Sequence, residues 1–156
     1  THLDEGRPLV VRKAGANFTL ANFFRATLYA TMATLKLGME ILEKENVAID
    51  SLTGHGGLFK TAGVGQRYLA AACNTSVTCM ETAGEGGPWG MAILASYLVN
   101  NSKNQSLADF LDEAVFAGNT GTEIAPTPEE VEGFNKYIEN YKQCLGIEKA
   151  AVELKK

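Results

Sequence analysis

The chain is poor in the residues from which side-chain cofactor sites are usually built. Among 156 residues it has three cysteines, two histidines and one tryptophan. Cys73, Cys79 and Cys144 make an odd number with no CxxC spacing. That pattern fits reduced thiols rather than a disulfide framework or a zinc cluster. Two histidines, His2 and His55, are too few for most histidine-based metal sites. No apolar run approaches the ~18–20 residues that a membrane span needs. The opening Thr1-His-Leu-Asp-Glu-Gly does not join a basic stretch to an apolar one, so it does not read as a signal peptide. A cytoplasmic location and no membrane partner are therefore expected. An initiator methionine is also missing, which suggests a piece cut from a longer protein. Positive charge is short as well: 14 Lys and Arg against 18 Asp and Glu leave a net charge of −4. A general nucleic-acid binder would carry a basic patch, so that class is set aside. Nucleotides are not excluded, because backbone amides can hold them locally.

What remains is a foldable composition, 46% apolar and 21% charged, of a length suited to one domain over residues 1–156. No internal repeat or boundary interrupts it. Glycine stands out. Of the 16 glycines, nine fall between Gly54 and Gly90, at 54, 56, 57, 63, 65, 84, 86, 87 and 90. Clumping of this kind marks backbone that must come close to something.

The apolar spacing predicts a long, largely buried helix over residues 18–44, capped by Asn17, with close packing or a kink at Gly38. A short strand over 49–53 runs into a glycine turn. A helix over 61–74, a strand over 76–80 and a second glycine turn over 81–87 follow. A third helix spans 89–99, with Pro88 in its first turn. After a polar loop over 100–105, Ser106 caps a short helix over 107–115. Residues 116–126 read as a connection. Thr127-Pro-Glu-Glu is a strong helix start, and that helix is expected to run from 128 to about 144 and stop at Gly146. Phe134, Tyr137 and Tyr141 form its core stripe. The alternation is that of an α/β fold with layered helices. Two strands are few for a sheet, so further strands are expected in residues 1–16 or outside the chain. The strand over 49–53 would then offer an open edge, and a homodimer or cover by residues 1–16 is expected there.

Two constellations can carry chemistry. The first is Gly54-His55-Gly56-Gly57-Leu58-Phe59-Lys60-Thr61, a strand end running into a helix start. Glycines there let backbone amides approach a ligand, and the helix N-terminus favours negative charge. Lys60 would add charge. The spacing is neither the dinucleotide fingerprint nor a Walker loop, and a plain tight turn is the alternative. The second is Glu81-Thr82-Ala83-Gly84-Glu85-Gly86-Gly87-Pro88-Trp89-Gly90-Met91-Ala92, the same device repeated; close helix–sheet packing is its alternative. Two such turns at the ends of neighbouring strands lie where open α/β sheets bind ligands. His55 lacks a partner set for general-base catalysis and reads as structural. Glu81 and Glu85 lie in a turn and do not make an acid/base pair. Trp89 belongs either to the core or to the wall of a pocket. No residue is expected to be catalytic or to bind a metal.

These two turns, together with Gln66-Arg67-Tyr68-Leu69-Ala70 between them, resemble the C-terminal region of the FGGY carbohydrate kinases. Gly-His-Gly-Gly-Leu-Phe-Lys-Thr and Glu-Thr-Ala-Gly-Glu-Gly-Gly resemble most the xylulokinase and L-ribulokinase branch. The likeness covers most of the chain, from the helix at Phe18 to the Glu148-Lys-Ala-Ala-Val-Glu tail. It implies the helix-rich part, with few short strands, of the second lobe of an actin-like ATPase (ribonuclease H-like) fold. Such enzymes move the γ-phosphoryl of Mg-ATP onto a sugar hydroxyl, and the second lobe holds the nucleotide. By this likeness Gly56 and Gly57 would lie against the adenine or ribose. Thr61 would be a polar contact near the base, with help from Lys60. Gly84, Gly86 and Gly87 would form the other wall. ATP, Mg²⁺ and a sugar such as xylulose or ribulose are the implied cofactors and substrate. The family's catalytic Asp, sugar-binding residues and phosphate loops lie upstream and have no counterpart here, so the chain alone is expected to be inactive. The rival reading is a free-standing nucleotide- or small-molecule-binding module.

Overall fold

The computed structural model describes residues 5–100, 104–118 and 121–154. His2, the middle of the polar loop expected over 100–105 and the last two residues of the tail lie outside the described residues. The chain divides into two compact units. One comprises Thr1–Ala48, Ala71–Asn74 and Thr127–Lys156, and the other Ile49–Ala70 and Thr75–Pro126.

The first unit contains two long helices, α1 (Leu20–Lys44) and α5 (Pro128–Glu153). Thr19, rather than Asn17, caps α1: its hydroxyl accepts the N–H of Asn22 at 3.2 Å. Asn17 instead offers its carbonyl to the side-chain amide of Asn22 at 2.8 Å. Thr127 and Glu130 form the expected reciprocal capping box at the start of α5, with Pro128 in the first turn. The two helices meet through aromatics. Tyr29 packs edge-on against Phe134 at 5.0 Å and against Tyr137 at 5.2 Å. Phe134 is fully buried beside Ile138, Met32 and Ala33. Truncating a phenylalanine in such a place costs about 3–5 kcal/mol.

Two further expectations for these helices fail, and a third, close packing at Gly38, is not met. Helix α1 is not largely buried: Leu20, Phe24 and Ile41 are 72%, 58% and 61% exposed, and within the helix only Met32, Ala33 and Lys36 are buried. Its apolar residues run all round the helix, and Phe134 and its neighbours on α5 meet one side of it. Gly38 has nothing within 4 Å of where a Cβ would sit, so no close packing explains it. Gly146 does not end α5, which runs on to Glu153. Gly146 has 18 helical residues before it and seven after it, and its cost of about 1 kcal/mol is small beside that of breaking a long helix.

The second unit carries a three-stranded sheet in the order β1 (Leu52–Thr53), β2 (Val77–Cys79), β3 (Thr122–Ile124). β1 and β2 are parallel, and β3 returns antiparallel to β2 with Val77 opposite Ile124. The third strand comes from 116–126, read from the sequence as a plain connection; residues 5–16 form no strand. Gly121 lets β3 approach: a Cβ there would sit 2.9 Å from the Cys79 carbonyl oxygen. Between β1 and β2 the chain makes a 3₁₀ turn (Gly57–Lys60) and helix α2 (Val64–Cys73), whose last residues fall in the first unit. Gln66 is buried on α2, and its side-chain amide donates to the carbonyls of Val77, at 2.6 Å, and Thr122. One helical residue thus ties two strands together, satisfying polar groups that burial would otherwise strand.

After β2 come a second 3₁₀ turn (Ala83–Glu85) and α3 (Gly86–Asn100). Gly86 and Gly87 are therefore the first helical residues of α3, not part of the preceding turn. Pro88, lacking an N–H, costs nothing there because first-turn amides have no helical acceptor. Ser106 caps α4 (Leu107–Phe110) as expected, accepting the Asp109 N–H at 3.1 Å; a π-helical turn (Leu111–Val115) continues it. Among the described residues no helix is long and apolar enough to cross a membrane.

Candidate functional site

Both glycine turns lie in the second unit, at the carboxyl ends of the parallel strands β1 and β2. Sheet geometry brings them side by side. Gly54 donates its N–H to the Thr78 carbonyl at 2.9 Å as the last rung of the ladder. Beyond it Gly56 donates to the Ala83 carbonyl at 2.7 Å, which joins turn to turn.

The glycines serve three different needs. Gly56 has φ +105° and Gly63 φ +75°, left-handed backbone in which a side chain is strained. Gly54, Gly65, Gly84 and Gly86 are needed for internal packing. A Cβ on Gly54 would enter the Phe59 ring, and one on Gly65 would sit 2.6 Å from the Leu58 carbonyl oxygen. On Gly84 it would touch the Lys60 stem at 3.0 Å, and on Gly86 the His55 side chain at 3.1 Å. The third group has no internal reason to be glycine. Gly57, Gly87 and Gly90 have ordinary φ and nothing within 4 Å of a Cβ position.

The expected site residues are placed as follows. Gly56, Lys60, Gly84 and Gly86 belong to the network that joins the turns. Lys60 crosses over Gly84 and ion-pairs with Glu85 at 2.6 Å. Gly57 opens the first 3₁₀ turn and Gly87 lies in the first turn of α3, both against open space. Thr61 ends the first turn with extended backbone, exposed, its carbonyl accepting the Val64 N–H at 3.2 Å. The sequence reading passed over Thr82. Its hydroxyl oxygen is buried within the second turn, yet it has no hydrogen-bond partner. A buried hydroxyl without a partner costs about 1–3 kcal/mol, so a ligand or water that reaches it gains by doing so. A threonine between a strand end and a glycine turn was the only signal for it.

Trp89 forms a wall. Its ring and that of Phe116 lie 5.8 Å apart, beside an apolar cavity of about 390 Å³ that His55, Gly86, Leu107 and Leu111 also line. Glu81 is exposed and Glu85 is bound to Lys60, so the two do not form an acid/base couple. Cys79, half-buried on β2, has its thiol pushed above the ordinary range by burial, against a hydrogen bond from the Gly54 backbone. It is a packing residue, not a nucleophile. All three cysteines are free thiols. Among the described residues no three of His, Cys, Asp and Glu gather as a metal site.

Paired glycine turns after parallel strands, each opening a helix, are the arrangement that the sequence resemblance requires. The model of the FGGY family of carbohydrate kinases, C-terminal domain, matches residues 1–99. The chain belongs to the FGGY family of carbohydrate kinases. The match takes in α1, both glycine turns, α2 and nearly all of α3. No curated protein and no solved structure matches the chain. As an FGGY C-terminal domain the chain has the helix-rich α/β fold, with a small sheet, that the actin-like ATPase lobe implies. The family is one of sugar phosphorylation, and its members use ATP and Mg²⁺.

Proposed function

We propose that this chain is the nucleotide-holding C-terminal part of an ATP-dependent sugar kinase of the xylulokinase or L-ribulokinase branch. It acts in the cytoplasm on a pentulose such as xylulose or ribulose. Both compact units belong to one C-terminal lobe. Gly56, Gly57, Lys60 and Thr61 form one wall of the nucleoside site, and Gly84, Gly86 and Gly87 form the other.

One observation carries this reading. Two turns are locked together by the Gly56–Ala83 hydrogen bond, and each then exposes a glycine, Gly57 and Gly87, that no internal contact requires. A flat ligand approaching the backbone would account for a hydrogen in place of a side chain at both positions. The unpartnered Thr82 hydroxyl supports a polar ligand beside them.

Phosphoryl transfer relies on positioning and on charge stabilisation at the phosphates. The residues here fit the nucleoside end. Mg²⁺ carried in with ATP would supply neutralisation of the phosphate charge, and none of these residues would hold it. The chain's own part is to orient adenosine against two backbone walls and keep water from its faces. The base that takes the proton from the sugar hydroxyl comes from outside these residues, so the chain by itself transfers no phosphate. Pairing of copies along the free side of β1 would give a homodimer.

Calorimetric titration with adenosine and ATP tests the reading. Binding of adenosine, with ATP phosphorylating no sugar, is expected. Absence of adenosine binding contradicts the site, and ATP-dependent sugar phosphorylation by the purified 156 residues contradicts the assignment of the base elsewhere.

A further inference from the structure

The Lys60–Glu85 ion pair bridges the two glycine turns, and three features suit it to exchange partners rather than to stabilise the fold. First, it is exposed: the side chains are 57% and 67% accessible, with the nitrogen and oxygen 2.6 Å apart. Exposed pairs contribute little net stability, so opening one costs little, whereas a buried pair is costly to break. Second, the lysine's path is built in. Its Cγ, Cδ and Cε pass 3.0, 3.8 and 3.6 Å from the position a Gly84 Cβ would take. A residue with a side chain at 84 would push the stem aside. Third, Glu85 is placed where it does not need the lysine. It immediately precedes α3, a helix of 15 residues, whose N-terminus favours a negative charge.

We propose that Lys60 is a reserve cation for nucleotide phosphate and that Glu85 holds it until a nucleotide arrives. The proposal rests on the nucleotide reading above and adds a residue role to it. Without ligand, Glu85 neutralises Lys60, so the pair adds no net charge to the surface that faces the nucleoside. When a nucleoside diphosphate or triphosphate enters, its phosphate takes the ammonium group and Glu85 falls back on the α3 terminus. The lysine then adds attraction only for ligands that carry phosphate. Glu85 acts through Lys60 and is a positioning residue.

The test compares ADP with adenosine on the full 156-residue chain, without Mg²⁺, for wild type, Glu85→Gln, Lys60→Met and the double variant. The readout is the ratio of ADP to adenosine affinity, which a general loosening of the turns would not move. Glu85→Gln is expected to raise that ratio about two- to fivefold, the scale of an exposed charge pair. Lys60→Met is expected to lower it. In the Lys60→Met background the Glu85→Gln gain is expected to vanish. A gain that persists there shows Glu85 merely repelling phosphate and overturns the latch. An unchanged ratio in Glu85→Gln overturns it too, while adenosine binding leaves the nucleoside site standing. Failure of the wild-type chain to bind adenosine overturns both.

Discussion

The backbone N–H of Gly56 donates to the carbonyl of Ala83 at 2.7 Å, although 27 positions separate them in sequence. That bond makes one site from two turns. It also sets the backbone of Gly56 at φ +105° and ψ −177°, a region essentially closed to side chains. Gly56→Ala is accordingly expected to cost about 1–3 kcal/mol. Gly57→Ala, one residue on, is expected to change stability by less than about 0.5 kcal/mol. Urea unfolding of the two variants, followed by circular dichroism, gives both numbers.

A second pair of glycines should separate in the same way. A Cβ at Gly65 would lie 2.6 Å from the Leu58 carbonyl oxygen, so α2 must move off the first turn. Gly65→Ala is expected to destabilise by about 1–3 kcal/mol. Gly90→Ala meets open space inside α3 and is expected to leave the fold intact or strengthen it. Thermal melts of the two variants side by side check the contrast.

Gly38 and Gly146 lie inside α1 and α5 with nothing near a Cβ position. Glycine in a helix interior costs about 1 kcal/mol relative to alanine. Gly38→Ala and Gly146→Ala are therefore expected to stabilise by about that much each. A fall in the urea midpoint of either variant would show that its glycine has a role in packing.

Burial, with Tyr141 and Cys144 nearby, pushes the Tyr137 hydroxyl up to about 12. Its hydroxyl donates to the Ala26 carbonyl at 3.3 Å, which requires the proton. The unfolded chain loses that proton near pH 10, the folded chain only near 12. Between those values the unfolded state binds fewer protons, so stability falls as pH rises. Denaturant midpoints between pH 9 and about 12 should decline in wild type, and less steeply in Tyr137→Phe. Equal slopes would remove Tyr137 as the cause.

The elements that sequence made plain are those with strong local signals. Thr127-Pro-Glu-Glu specifies the start of α5, and Ser106 the start of α4, because caps are local chemistry. The glycine turns were visible as a clump of glycines, although only Gly56 and Gly63 within it require left-handed backbone. Strand β3 was hidden because Thr122-Glu-Ile is three residues long, and only pairing with β2 makes it a strand. The end of α5 was misplaced because Gly146 is a weak stop when helix formers follow it. The reach of α1's buried face was overstated because its apolar residues show periodicity, not what covers them. At the candidate site, Gly57 and Gly56 look alike in sequence. Only coordinates separate the glycine required by φ from the one that faces open space. Gln66 lies three and four positions before the buried Leu69 and Ala70 on α2, the one hint that its amide would be buried and bridge two strands.

The most direct measurement is a calorimetric titration of adenosine into wild type and Gly57→Val, with the unfolding midpoint of each measured in parallel. Gly57 is expected to accept valine without loss of the fold, since nothing lies within 4 Å of its Cβ position. If Gly57 forms a wall of the nucleoside site, the valine fills it, and adenosine binding falls at least about tenfold, as loss of roughly 1.4 kcal/mol requires. Equal adenosine affinities in two equally stable proteins would contradict the account.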